Sequence, residues 1–156
     1  MKYLVVNLLA FFLLLFPAAT IGQSTIVDAC DWENVKKDAK KDLKPYQYYA
    51  FKITKISFGA ADSEKEVEVP LFMDADYRFV FNTMGLPQEL TVQVFNKPKG
   101  NPQRKMIFEK TSVNDQFIFE PKNEDAKNRL YINYIIPAAK NAGSKGCVLF
   151  YSGSKF

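Results

Sequence analysis

Residues Glu66–Phe81, EVEVPLFMDADYRFVF, repeat apolar residues at every second position. A period of two belongs to a strand with one covered and one open face, not to a helix. Val67, Val69, Leu71 and Met73 share the inward side, and Glu66 and Glu68 the outward side. Pro70 lacks a backbone N–H and assigns this run to a sheet edge or strand start. Asp74-Ala75-Asp76 reads as a tight turn, after which Tyr77, Phe79 and Phe81 resume the alternation. The two runs are therefore expected to pair as a hairpin.

The same signal recurs along the chain. Tyr46–Phe58 opens with Tyr49, Phe51 and Ile53 on one parity and ends with Ile56 and Phe58 on the other. Such a switch of face suggests a bulge or a strand that bends between sheets. Leu90–Phe95, Met106–Phe108, Phe117–Phe119, Leu130–Ile136 and Cys147–Tyr151 follow, separated by turn residues. Leu130–Ile136 is apolar on nearly both faces, as a doubly covered central strand would be. About eight short strands predict an all-β fold, an antiparallel jelly-roll-like β-sandwich. One helix precedes it: over about 31–43, Trp32, Val35, Ala39 and Leu43 fall on one helical face, with four lysines away from that stripe, and Pro45 ends it.

The first residues speak to compartment. Met1-Lys2 is a positive start, Leu4–Phe16 is apolar apart from Asn7, and Pro17 to Gly22 supplies a breaker and small residues. This is the form of a secretory signal covering 1–22, with cleavage expected before Gln23. The run is short for a membrane span, which needs about 20 apolar residues. Residues 23–156 then form one domain, exported to the periplasm, cell surface or medium, with no stable membrane span. In such a compartment two cysteines default to a disulfide. Cys30 and Cys147, the only pair, are expected to tie the start of the processed chain to its last strand.

Composition removes several chemistries. The chain has no histidine, so the commonest general base and metal ligand is missing. A formal net charge of +4, one less without Lys2, is too small to argue for nucleic acid. No Ser/His or Cys/His set exists, and acids fall mostly on turns and outward strand positions. No catalytic residue, cofactor or metal site is assigned. Asp62, Glu64, Asp74 and Asp76 are the nearest approach to a calcium site, but they lack the D-x-D-x-D-G spacing. The plainer reading is that turn aspartates satisfy backbone groups.

The order VEVPLFMDADYRFVFNTMG, LTVQVFN, FIFEP, RLYINYIIP, GCVLFYSG resembles secreted all-β sandwich modules of the pre-peptidase C-terminal and GOLD type. The Gly and Asp positions typical of those modules are mostly absent here. The signal followed by Gln23-Ser24 and the Lys/Asn/Phe-rich composition also resemble small exported proteins of the Bacteroidetes. The resemblance implies an accessory β-sandwich and no catalytic residues.

Two binding surfaces suggest themselves. Lys97, Lys99, Arg104 and Lys105 surround a Pro/Gly loop that would meet a negatively charged partner; the alternative is a solvated loop tip. Changing all four to serine is expected to leave folding intact and to weaken binding. Tyr46 and Tyr48 are expected on the side opposite Phe51 and Ile53, as an aromatic platform for sugar if that side is open, or as core or rim if it is closed. The function expected is therefore a non-catalytic interaction or structural module binding a protein or envelope component. A carbohydrate-binding module is the alternative, and a hydrolase with an unrecognised carboxylate pair stands third.

Overall fold

The computed structural model describes Cys30 and residues 41–72, 74–122, 124–125, 128–139, 141 and 143–156. The expected signal, and Trp32, Val35 and Ala39 of the expected helix, lie outside the described residues. Leu43, the last position of that apolar stripe, lies inside them and is buried.

Eight strands are present: β1 (Gln47–Ser57), β2 (Ser63–Pro70), β3 (Asp76–Asn82), β4 (Leu90–Phe95), β5 (Met106–Ser112), β6 (Gln116–Phe119), β7 (Arg129–Ile136) and β8 (Lys145–Lys155). They form two four-stranded sheets, sheet A in the order β1-β8-β3-β6 and sheet B in the order β2-β7-β4-β5. Every pair is antiparallel. This is jelly-roll order, and the all-β sandwich expected from the alternation is what the chain forms. No helix among the described residues is long and apolar enough to cross a membrane.

The alternation supplies the core. Val67, Val69, Leu90, Val92, Leu130 and Ile132 of sheet B meet Tyr77, Phe79, Phe81, Val148 and Phe150 of sheet A. The Phe79 and Phe150 rings meet edge to face at 5.2 Å. Each such side chain contributes about 1.5–3 kcal/mol by leaving water.

Three expectations need correction. Glu66–Met73 and Tyr77–Phe81 are not a hairpin, because β2 pairs with β7 in sheet B and β3 lies between β8 and β6 in sheet A. Leu71 to Ala75 carry the chain from one sheet to the other, with Asp74 in the left-handed region at φ 63°. A turn signature is local chemistry and is the same whether the next strand pairs or crosses over. The last strand is also longer than expected and runs through Ser152, Gly153 and Ser154, all buried. These residues lack the apolar alternation that marked the strand, but their smallness serves contact. A Cβ on Gly153 would sit 2.7 Å from Tyr46 Cβ, so Leu43–Tyr46 cross β8 at that point.

The third correction concerns β1. The irregularity expected between Ile53 and Ile56 is not there, since the β1–β8 register runs unbroken from Ala50 to Ser57; it slips instead at Tyr49, between Tyr48 and Ala50. Tyr49 turns into the main core, with its ring 5.8 Å from Tyr77. Phe51 packs instead with Leu43, Val80 and Tyr151 on the outer face of sheet A. Tyr48 pairs with Gly153, Phe51 with Tyr151 and Ile53 with Leu149. The extra residue therefore places Tyr48 on the same face as Phe51 and Ile53, not opposite them.

The middle of that outer face is covered, with Val80, Leu149 and Tyr151 buried. Cys30 is bonded to Cys147 of β8, with Cα atoms 6.0 Å apart, and Cys147 is fully buried. Farther along, Gln116 donates to Asp42 at 2.9 Å, and the Tyr151 hydroxyl donates to Gln116 at 2.8 Å. The staple and this polar network hold the described ends of the N-terminal segment against sheet A.

Candidate functional site

The connection between β4 and β5 is built to hold one shape. Asn96 and Lys105 close its base: the Asn96 N–H donates to the Lys105 carbonyl, and the Lys105 N–H to Asn96 Oδ1. Gly100, at φ 86°, takes a turn that a side chain would resist. Asn101 then accepts from Gln103 N–H through its side chain and from Arg104 N–H through its carbonyl.

The loop's cations pin it down. The Arg104 guanidinium lies over the Phe95 ring, 3.6 Å from its centroid. Its Nη1 meets Glu66 Oε2 at 2.7 Å, and both atoms are buried. Phe95 is on β4 and Glu66 on β2, so this one side chain spans β7 and folds the loop across the outer face of sheet B. Lys99 pairs with Glu64 through its ammonium and donates its N–H to Glu66 Oε1. Lys105 meets Asp125, in the β6–β7 connection, at 3.3 Å. Only Lys97 of the four is exposed and without an ion-pair partner among the described residues. The cluster is therefore not four free charges: Arg104 is half-buried and paired, Lys99 and Lys105 are exposed but paired, and Lys97 stands in solvent. A fourfold change to serine would remove all three ion pairs.

Beside Lys97 a cleft of about 580 Å³ opens between this loop and the β6–β7 connection. Glu124 and Asp125 form one wall, the half-buried Tyr131 ring its floor, and Asn96, Gln103 and Asn128 offer amides. Arg129, at its rim, is held by Glu68 at 2.8 Å.

The tyrosines fall elsewhere. Tyr48 is 49% exposed on the outer face of sheet A. Tyr46 is half-buried, with the Arg78 guanidinium 4.8 Å from its ring centroid. Burial and the neighbouring Glu120 carboxylate push its hydroxyl above the ordinary tyrosine value. One of the two rings is thus already occupied on one side, and they make no open matched pair.

Arg78 is the residue that sequence reasoning missed. It donates to the carbonyls of Asp42 and Lys44 and bonds Glu120 at 2.6 Å, joining the N-terminal segment, β3 and the end of β6. An arginine within YRFVF, otherwise apolar, was the signal. The four acids considered for calcium are dispersed: Asp62 accepts from Ala138 N–H at 2.8 Å, and Glu64 is held by Lys99. Among the described residues no three metal-ligating side chains come together.

No protein-family model matches the chain, and no curated protein does. Among solved structures, PirA is similar at a TM-score of 0.44 and 18% identity, over 64% of this chain and 92% of its own. The Aeromonas hydrophila protein PliG, a periplasmic inhibitor of g-type lysozyme, is similar at 0.43 and 13%, over 72% and 90%. A carbohydrate-binding module, CBM4, is similar at 0.43 and 12%, over 75% and 83%.

Proposed function

We propose that this chain is an exported, non-catalytic binding module that takes a protein or envelope component at the cleft between the Asn96–Lys105 loop and Glu124–Tyr131. The observation that carries it is the loop itself, folded back and ion-paired to both neighbouring segments, which leaves a ready-made opening beside it. Side chains already held by ion pairs lose little freedom on binding. The two outer faces are less suited, being partly covered by this loop on sheet B and by Cys30 and residues 41–46 on sheet A.

Export is supported by the apolar Leu4–Phe16 run and by the disulfide, a bond of oxidising compartments. The absence of catalysis is supported by the lack of histidine and by both thiols being consumed in that bond. Asp125, an acid of the cleft, is paired with Lys105. The resemblance to accessory sandwich modules agrees with this reading.

The test is photo-crosslinking from position 97 or 131 in envelope extract, with Lys97→Glu and Tyr131→Ala as controls. Capture from these positions, weakened by either change, is the expected result. Capture only from the opposite end would place the site elsewhere. Turnover of a glycan or peptide, abolished by Glu124→Gln, would overturn the non-catalytic part.

A further inference from the structure

The cleft does not stop at Tyr131. A second hollow of about 280 Å³ shares Glu124 and Asp125 with it and adds the Phe119 ring. A third, of about 350 Å³, shares Glu120 and Lys122 with the second and ends on Tyr46 and Tyr77. The three follow one another as a groove from sheet B round to sheet A, and each contains a half-buried ring: Tyr131, Phe119, Tyr46.

Among the described residues the charge along it is balanced. Asp76, Glu120, Glu124 and Asp125 supply carboxylates. Lys97, Lys105, Lys122 and Arg129 match them one for one. A polyanion laid in this groove meets carboxylates throughout, and a polycation meets ammonium groups. An extended peptide binds best by adding a strand to a free edge, but the edge strands β5 and β6 reach the groove only at Met106–Ile107 and Phe119, and Pro121 beyond them has no N–H to give. An uncharged chain rich in hydroxyls meets no such obstacle. Amides and carboxylates bond hydroxyls as donors and acceptors, and a ring offers an apolar face to the C–H side of a sugar.

Resting on the reading of this end as the ligand site, we infer that the ligand is a linear, uncharged oligosaccharide lying along the groove from Tyr131 to Tyr46. This departs from the negatively charged partner expected from the basic loop, because three of the four cations there are already neutralised.

The experiment is calorimetric titration of the processed protein with cello-, laminari- and chito-oligosaccharides of increasing length, with a mixed-charge peptide in parallel. NMR or crosslinking at positions 131 and 122 reports where each binds. At least one neutral series should bind, tighten with length, and change less than about twofold between low and high salt, where screening would weaken a charged ligand. Tyr131→Ala should weaken it roughly tenfold at an unchanged melting temperature, and Tyr131→Phe should restore it, because the ring carries the contact. Binding of the peptide alone, registered at 131, would overturn the sugar while leaving the site standing. Sugar binding that is indifferent to length and to Tyr131→Ala would overturn the groove. No binding at either position by any probe would overturn this inference, and partner capture from the opposite end would remove the reading beneath it.

Discussion

Tyr134 lies wholly inside the sandwich. Its hydroxyl faces Thr54 Oγ1 across the core, yet neither oxygen reaches a partner at hydrogen-bonding geometry. Burial drives its ionisation far above that of an ordinary tyrosine, and the neighbouring Thr54 opposes this only partly. The linkage then has a definite sign. Above about pH 10 the unfolded chain gives up this proton while the folded chain keeps it, so the folded state binds more protons and stability falls as pH rises. Below that pH the contribution is fully present. Tyr134→Phe removes an unsatisfied hydroxyl and keeps the ring. Denaturant unfolding at pH 7 should place the variant within about 1 kcal/mol of wild type or above it. Repeated above pH 10, the comparison should move further in the variant's favour. A variant several kcal/mol less stable at pH 7 would show that the hydroxyl has a partner after all.

The Asn96–Lys105 connection behaves as an element although it contains no strand. Arg104 joins β4 to β2 through a ring face and a half-buried carboxylate, whereas Lys97 stands in solvent. Arg104→Ser leaves Glu66 without its main cation and should cost about 1–3 kcal/mol. Lys97→Ser should stay within about 0.5 kcal/mol, and amide exchange should quicken across residues 96–105 only in the first variant. Equal effects would mean that the loop is held by its backbone turns alone. This contrast also marks how far the sequence was legible. Strand positions, inward faces, the jelly-roll class and the Cys30–Cys147 pair followed from period-two alternation and from counting thiols. The hairpin error at Asp74, the misplaced face of Tyr48 and the pairing of Lys99 with Glu64 have another origin. Each depends on which strands become neighbours, and residues 35 positions apart carry no local mark of that. Glu66 looked like a solvated outward residue because alternation says only that it faces away from the core, not that a loop comes to meet it.

At the scale of the whole molecule, the disulfide closes 117 positions of chain into one loop, from outside the sandwich to a central strand of sheet A. Its loss through Cys30→Ala with Cys147→Ala should lower stability by on the order of 2–4 kcal/mol. The far-ultraviolet strand spectrum should survive, because the aromatic core owes nothing to the sulfurs. Loss of the spectrum at room temperature would show that the sandwich cannot hold itself. The bond also decides how the protein answers tension. Load applied before Cys30 and after Lys155 passes through the sulfurs to Cys147 and along β8 alone, bypassing every other strand. A β-strand already lies close to its full extension, so the oxidised domain has almost no length to give and acts as a nearly inextensible pin. Reduction would send the same load through the entire fold and release roughly 40 nm of chain at about 3.4 Å per residue, a lengthening that a single-molecule pulling record should show only when the thiols are free.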